Sequence, residues 1–150
     1  MTTSSLSRDF RKINIEQYEE DFYEDEIVDN GARGPDMNQV QSFISAGKPQ
    51  DALKVALQNA PTCVNNPQTK KTAAEIVVRA LTSHKNSQIQ PSVDSLTPDE
   101  LDILMKYIYK AFSLNQDSNT CASLLQWHDK VHTKAGSGAI VRVLADRERL

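Results

Sequence analysis

An all-α fold of about seven short helices, preceded by an extended acidic amino-terminal arm, follows from three features of this 150-residue chain. Charge divides it sharply near residue 30. Beyond residue 35, apolar residues recur every three or four positions, and no run alternates with period two for long enough to make a strand. The breaks between these periodic segments are short and carry glycine or proline. Residues 1–35 are thus predicted to be an arm and hinge, and residues 36–150 a helical scaffold domain.

The arm holds nine acids against three bases from Met1 to Asn30, a net of −6, while the remainder holds eleven acids and fourteen bases, a net of +3. Leu6, Phe10, Ile13, Ile15, Tyr18, Phe22, Tyr23, Ile27 and Val28 interrupt the acids at intervals. A purely solvating tail has no such anchors, because it has nothing to bury. The pattern predicts a segment unfolded alone and ordered on a partner. It ends at Gly31-Ala32-Arg33-Gly34-Pro35, a composition suited to a hinge.

In the domain, Asp36 is placed to cap a first helix with Met37, Val40 and Ile44 on one face. Gly47-Lys48-Pro49 separates it from a second helix carrying Ala52, Leu53, Val55, Ala56 and Leu57, which stops before Pro61. A third helix is expected over 69–85 with Ala73, Ile76, Val77, Ala80 and Leu81 as its stripe, and a short fourth over 91–96. Thr97-Pro98-Asp99-Glu100 is a strong start for the fifth: a capping threonine, proline at the first helical position, and a glutamate that can reach back to the cap. Leu101, Leu104, Met105, Ile108 and Phe112 form one side, and Ile103 and Tyr107 the other, so this helix is predicted to be central, or to turn its second face to another protein. The sixth, over 118–135, has Cys121, Leu124, Leu125, His128, Val131 and His132 as its stripe with Trp127 at the edge, and ends at Gly136. The seventh turns Ile140, Val143 and Leu144 inward and Arg142 outward. Antiparallel pairs stacked as a bundle or short α-α superhelix are the expected result. No self-similar repeat is present, which argues against a consensus repeat array.

Composition narrows the function. About 115 residues remain after the arm, enough for one core burying roughly 65% of the unfolded surface. No apolar run reaches bilayer length, and no charged-then-apolar leader is seen, so a cytosolic protein is expected. Cys63 and Cys121 do not make a disulfide framework, which agrees with a reducing compartment. A pI near 5.6 argues against nucleic acid as the main partner.

The sharpest chemical candidate is His128-Asp129-Lys130-Val131-His132, one residue from the zinc-hydrolase pattern H-E-x-x-H. Histidines four apart share a helix face. Aspartate, however, is one methylene too short to work as the usual base on a metal-bound water, and no third ligand follows downstream. The alternative is that both rings pack beside Leu124, Leu125 and Val131. Gly136-Ser137-Gly138 lacks the lysine and spacing of a phosphate loop and follows a helix rather than a strand. Cys63 has no basic neighbour and Cys121 sits on an apolar stripe, so neither reads as an activated thiolate. The arm's acids lack the spacing and central glycine of a calcium loop. Trp127 and Tyr109 read as core or rim rather than a ligand cage. No catalytic, cofactor or metal site is predicted.

Four blocks in order carry a family resemblance: RDFRKINIEQYEEDFYEDE at 8–26, LMKYIYKAF at 104–112, LLQWHDK at 124–130 and GSGAIVRVL at 136–144, with GPD at 34–36 and ALKVALQNAP at 52–61 fitting the same order. The sequence resembles the smallest subunit, subunit 5, of the actin-related protein 2/3 complex. That resemblance implies a non-catalytic, all-helical subunit of a seven-protein assembly that nucleates actin branches from the sides of existing filaments. It implies an arm lying against the actin-related protein 2 subunit, here Phe10, Arg11, Ile13, Ile15, Tyr18 and Phe22. It implies a domain packed on the propeller subunit and subunit 4, with Tyr107, Tyr109 and Arg142 as contact candidates. Actin filaments are then met through the complex, with no cofactor, nucleic acid or membrane. The cytoplasmic actin cytoskeleton, cell projections and also the nucleus are the implied locations. Two other readings fit the residues alone: a metal-dependent hydrolase using His128 and His132, and a free-standing helical adaptor.

Overall fold

The computed structural model describes residues 34–62, 64, 66–114, 116–146 and 150, and among these the chain forms seven helices and no strand. The expected arm, with Phe10, Arg11, Ile13, Ile15, Tyr18 and Phe22, lies outside the described residues, as does Cys63. The described chain begins at Gly34, with φ of 77°. A Cβ at this position would sit 3.6 Å from that of Ala73, so a side chain would find room but meet an unfavourable backbone conformation. Pro35 is buried, so the hinge residue already belongs to the packed domain.

Most of the helices start where a side chain accepts from the first amide groups, and the others at a proline or a glycine turn. Asp36 accepts the Asn38 N–H at 2.8 Å and opens α1 (Met37–Ser45). Proline at the first turn opens α2 (Pro49–Gln58). Asn66 accepts the N–H groups of Gln68 and Thr69 and opens α3 (Pro67–Thr82), so this helix starts and ends earlier than the predicted 69–85. The fourth, α4 (Asn86–Asp94), starts well before Pro91, because the Gln88 side chain accepts the Lys85 N–H at 3.0 Å and fixes the entry there. Pro91 is therefore inside the helix rather than at its start.

The predicted capping box is present at α5 (Pro98–Ser113): Thr97 N–H donates to Glu100 Oε2 at 2.8 Å and Glu100 N–H to Thr97 Oγ1 at 3.3 Å. Asp117 opens α6 (Ser118–Ala135), accepting from the Asn119 and Thr120 N–H groups. Hydrogen bonding by Thr120, led by its side chain, favours the carboxylate and holds the Asp117 pKa below its ordinary value. Gly136, at φ 72°, turns the chain directly into α7 (Ser137–Ala145).

The first three helices pack in succession, and α5 lies at the centre, against α2, α3, α6 and α7. The two-sided apolar pattern of α5 thus has its physical cause: Leu101, Leu104, Met105 and Ile108 are buried on one side, and Tyr107, 1% exposed, on the other. The α4 helix packs on α6. Lys134 on α6 donates from Nζ to the carbonyls of Val93 (2.9 Å), Asp94 (2.9 Å) and Leu96 (3.1 Å), placing a cation on the negative end of α4.

Several side chains face differently from the sequence expectation. Trp127, expected at the edge of its stripe, is fully buried and is the largest such side chain. Leu125, expected in the stripe, is 60% exposed. The buried face of α6 is Leu124, Trp127 and Val131, spaced three and four apart, because α3, α4 and α5 all meet the helix there. On α7 the buried residue is Ala139; Ile140 and Val143 pack partly against the core, and Leu144, expected inward, is 68% exposed. Among the described residues this last helix packs chiefly on α5 and α6, and Val141 and Leu144 remain exposed on its far side. Met37 and Phe112 lie at the rim rather than in the core.

Candidate docking surface

Helix geometry assembles a continuous aromatic row across α5, α6 and the turn into α7. Phe112 and Tyr109 are three apart on α5, hence on neighbouring positions of one face. Their rings meet edge to face at 6.3 Å. Tyr109 meets His128 of α6 at 5.6 Å between centroids, with its hydroxyl hydrogen-bonded to His128 Nε2 at 3.4 Å. His128 stacks on His132, four residues on, at 6.2 Å and an interplanar angle of 3°. His132 Nε2 then hydrogen-bonds Ser137 Oγ at 3.3 Å. Both histidines are half-buried.

The two Nε2 atoms therefore serve different partners, Tyr109 and Ser137, instead of converging on one point. Among the described residues, no group of three or more His, Cys, Asp or Glu side chains is placed to hold a metal ion. The histidine pair reads as packing within the row. Accordingly, zinc is expected to raise the melting temperature of the wild-type chain no more than that of a His128→Ala/His132→Ala double variant. A stoichiometric metal that survives dialysis and is lost in the double variant would contradict this.

Beside the row, α7 is fixed to α5 by charge. Arg142 donates from Nε to Asp102 Oδ2 at 2.6 Å and from Nη2 to Oδ1 at 2.7 Å, a two-pronged pair that raises the guanidinium pKa further. Gly138 lies beneath this guanidinium; a Cβ there would be 3.1 Å from Arg142 Nη1. Lys106 Nζ donates to Asp146 Oδ2 at 2.6 Å. Lys106, Tyr109, Lys110, Ser113, Val143 and Leu150 line an open cleft of about 200 Å³. Val141 and Leu144, three apart on α7, are 60% and 68% exposed and form an outward apolar strip. Leu125, one turn before His128, adds a third exposed apolar side chain. Isolated exposed leucines are ordinary in soluble proteins, but these accompany a rim of half-buried aromatic rings.

Of the predicted contact residues, Tyr109 and Arg142 reach this surface. Tyr107 does not: it is buried in the core, its hydroxyl has no hydrogen-bond partner among the described residues, and burial pushes its pKa above the ordinary phenol value. Sequence reasoning missed Leu125 and Leu144 as surface residues and Asp102 as the partner of Arg142. Asp102 carries no local signal, since its partner is 40 residues away. No helix among the described residues is long and apolar enough to cross a membrane.

Comparison with known proteins covers both the arm and this domain. A family model described as the ARP2/3 complex 16 kDa subunit (p16-Arc) matches residues 9–150. The chain is 40% identical over 149 residues to actin-related protein 2/3 complex subunit 5-C of Xenopus laevis, covering 99% of each. It is 37% identical over 152 residues to the human subunit 5-like protein, again covering 99% of each. With the probable subunit 5 of Caenorhabditis elegans it shares 37% identity over 142 residues, 95% of this chain and 97% of that protein. Matches of this length and identity establish that the chain belongs to the family of the ARP2/3 complex 16 kDa subunit.

Proposed function

We propose that this chain is a non-catalytic structural subunit of an ARP2/3 complex and supports nucleation of branched actin filaments by joining two kinds of contact. The helical domain docks on the propeller subunit and subunit 4, using the exposed side of α5, α6 and α7 around Tyr109 and Arg142. The arm, through Phe10, Arg11, Ile13, Ile15, Tyr18 and Phe22, tethers actin-related protein 2. Actin is met through the complex, in the cytoplasmic cytoskeleton, in cell projections and in the nucleus. The observation that carries this reading is the extent of the family match, which runs from Asp9 to Leu150 and so includes arm and domain together.

The physics of a two-part subunit supports it. An acidic segment with spaced aromatic anchors gains its order from a partner and loses about 2–5 kcal/mol of its interaction energy in doing so. Alone such a contact is reversible. Joined to a docked domain, it is strengthened by high local concentration.

The test is co-purification of the full chain with the other subunits. Wild-type protein is expected in a stoichiometric assembly with them. A Leu125→Asp/Leu144→Asp double variant replaces two side chains that are already exposed, so it should fold normally while its recovery in the assembly falls. Folded wild-type protein that remains alone would favour the free-standing adaptor. A double variant recovered at full yield would place the docking surface elsewhere.

A further inference from the structure

The corner between α3 and α4 contains a titratable group that the docking role does not use. His84 lies in the turn between Thr82 and Asn86 and is only 7% exposed. Its Nδ1 is 2.8 Å from the carbonyl oxygen of Ala80, which accepts from it. That contact fixes the tautomer: the proton is on Nδ1, and Nε2 carries the lone pair. Nε2 is itself buried and has no hydrogen-bond partner among the described residues. The ring stands edge to face on Trp127, with centroids 4.9 Å apart and planes at 89°. Trp127 in turn donates from Nε1 to the Leu81 carbonyl at 3.3 Å, and the His84 backbone N–H donates to the same oxygen at 3.2 Å. Two rings thus hold the end of α3 against the centre of α6.

We propose that His84 is an acid-sensitive latch: neutral, it locks Trp127 and α6 onto the α3–α4 corner, and protonated, it releases them. Protonation places an N–H on Nε2, where the fold offers no acceptor, and puts a charge in a site shielded from water. The imidazolium must leave for solvent, and the turn that carries it must move as well.

Two effects oppose each other at this site. The carbonyl end of a helix favours a cation, and the Ala80 and Leu81 backbone bonds favour the protonated ring. Burial disfavours it and is the larger effect, so the His84 pKa lies below 6.5. The charged groups on the adjoining elements do not reverse this. Arg79 on α3 and Lys85 before α4 are both exposed and cationic. On α6, Lys130 pairs with Asp129, and Lys134 is held by the carbonyls of Val93, Asp94 and Leu96. The acid on α4, Asp94, accepts from the Gln90 side chain. A base with a lowered folded pKa is protonated first in the unfolded chain. The stabilisation from neutral His84 is therefore complete above pH 6.5 and is lost as pH falls from there through the lower folded pKa.

Because Trp127 is the only tryptophan in the chain, its emission reports on this one site. The experiment titrates the full-length chain from about pH 7.5 to 5, reading tryptophan emission, melting temperature and the His84 ring by NMR. The wild type should lose melting temperature and shift its emission together, with an NMR midpoint below 6.5. His84→Asn keeps an amide donor for Ala80 but does not titrate, and should lose the shared acid transition. A His128→Asn/His132→Asn variant, which removes the other two histidines, should keep it. The latch is overturned if wild-type emission does not change, if His84→Asn follows the wild-type curve, or if the His84 ring titrates at or above 6.5. Should His84→Asn fail to fold, the ring titration and the emission of the His128/His132 variant still decide the matter.

Discussion

Trp127→Ala is expected to destabilise the domain by about 3–5 kcal/mol, and Leu125→Ala, on the same helix, by less than about 1 kcal/mol. Trp127 is fully buried and touches the end of α3 through both the Leu81 carbonyl and the His84 ring. Its removal leaves a cavity too large for the surrounding side chains to close, and the Leu81 oxygen loses its indole donor. Leu125 is 60% exposed, so its truncation returns little apolar surface to water. Denaturant midpoints followed by circular dichroism compare the two, since the first variant has no tryptophan to report on. Equal losses would mean that α6 is rotated relative to the face described here.

That contrast also marks how far the sequence could be read. Several helix boundaries were legible from a strong local signal. Thr97 and Glu100 fix the start of α5, Asp36 that of α1, and Gly136 the end of α6, because a cap or a positive φ depends on nearby residues. Where Asn66 and Gln88 act as local acceptors, the boundaries moved from their predicted places. The orientation of α6 was a different kind of problem. Leu124, Leu125, Trp127, His128, Val131 and His132 form an apolar arc wider than one face, and spacing alone does not say which part of it is central. Long-range neighbours decide that: α3 and α4 cover the side with Trp127, so Leu125 is left on the rim. The same holds for Leu144, on a helix with neighbours along one side, and for Tyr107, drawn into the core because α5 is enclosed. The surface row from Phe112 to His132 depends on the α5–α6 pairing and has no signature in either helix alone.

Deleting residues 1–33 is expected to separate docking from tethering. The cut falls before Gly34 and Pro35 because Gly34 lies against Ala73 and Pro35 is buried, so the packed domain keeps its own first residues. The remaining helices bury Val40, Leu53, Leu57, Leu81, Leu104, Ile108 and Trp127 among themselves. The truncated chain should therefore unfold cooperatively, with a melting temperature close to that of the full chain, and should still co-purify with the propeller subunit. What it should lose is its hold on actin-related protein 2. Linking a weak arm to a docked domain can strengthen the second contact by about 10²–10⁴-fold, and removing the arm removes all of that gain. Retention of actin-related protein 2 after dilution, together with the lag and rate of branched polymerisation, reads the effect. A separately added peptide of residues 1–33 should restore little at equimolar concentration, since it lacks the linkage. If truncation instead unfolds the domain, the arm is part of the fold. If nucleation is unchanged with the domain intact, actin-related protein 2 is held by other contacts and the tether has no role.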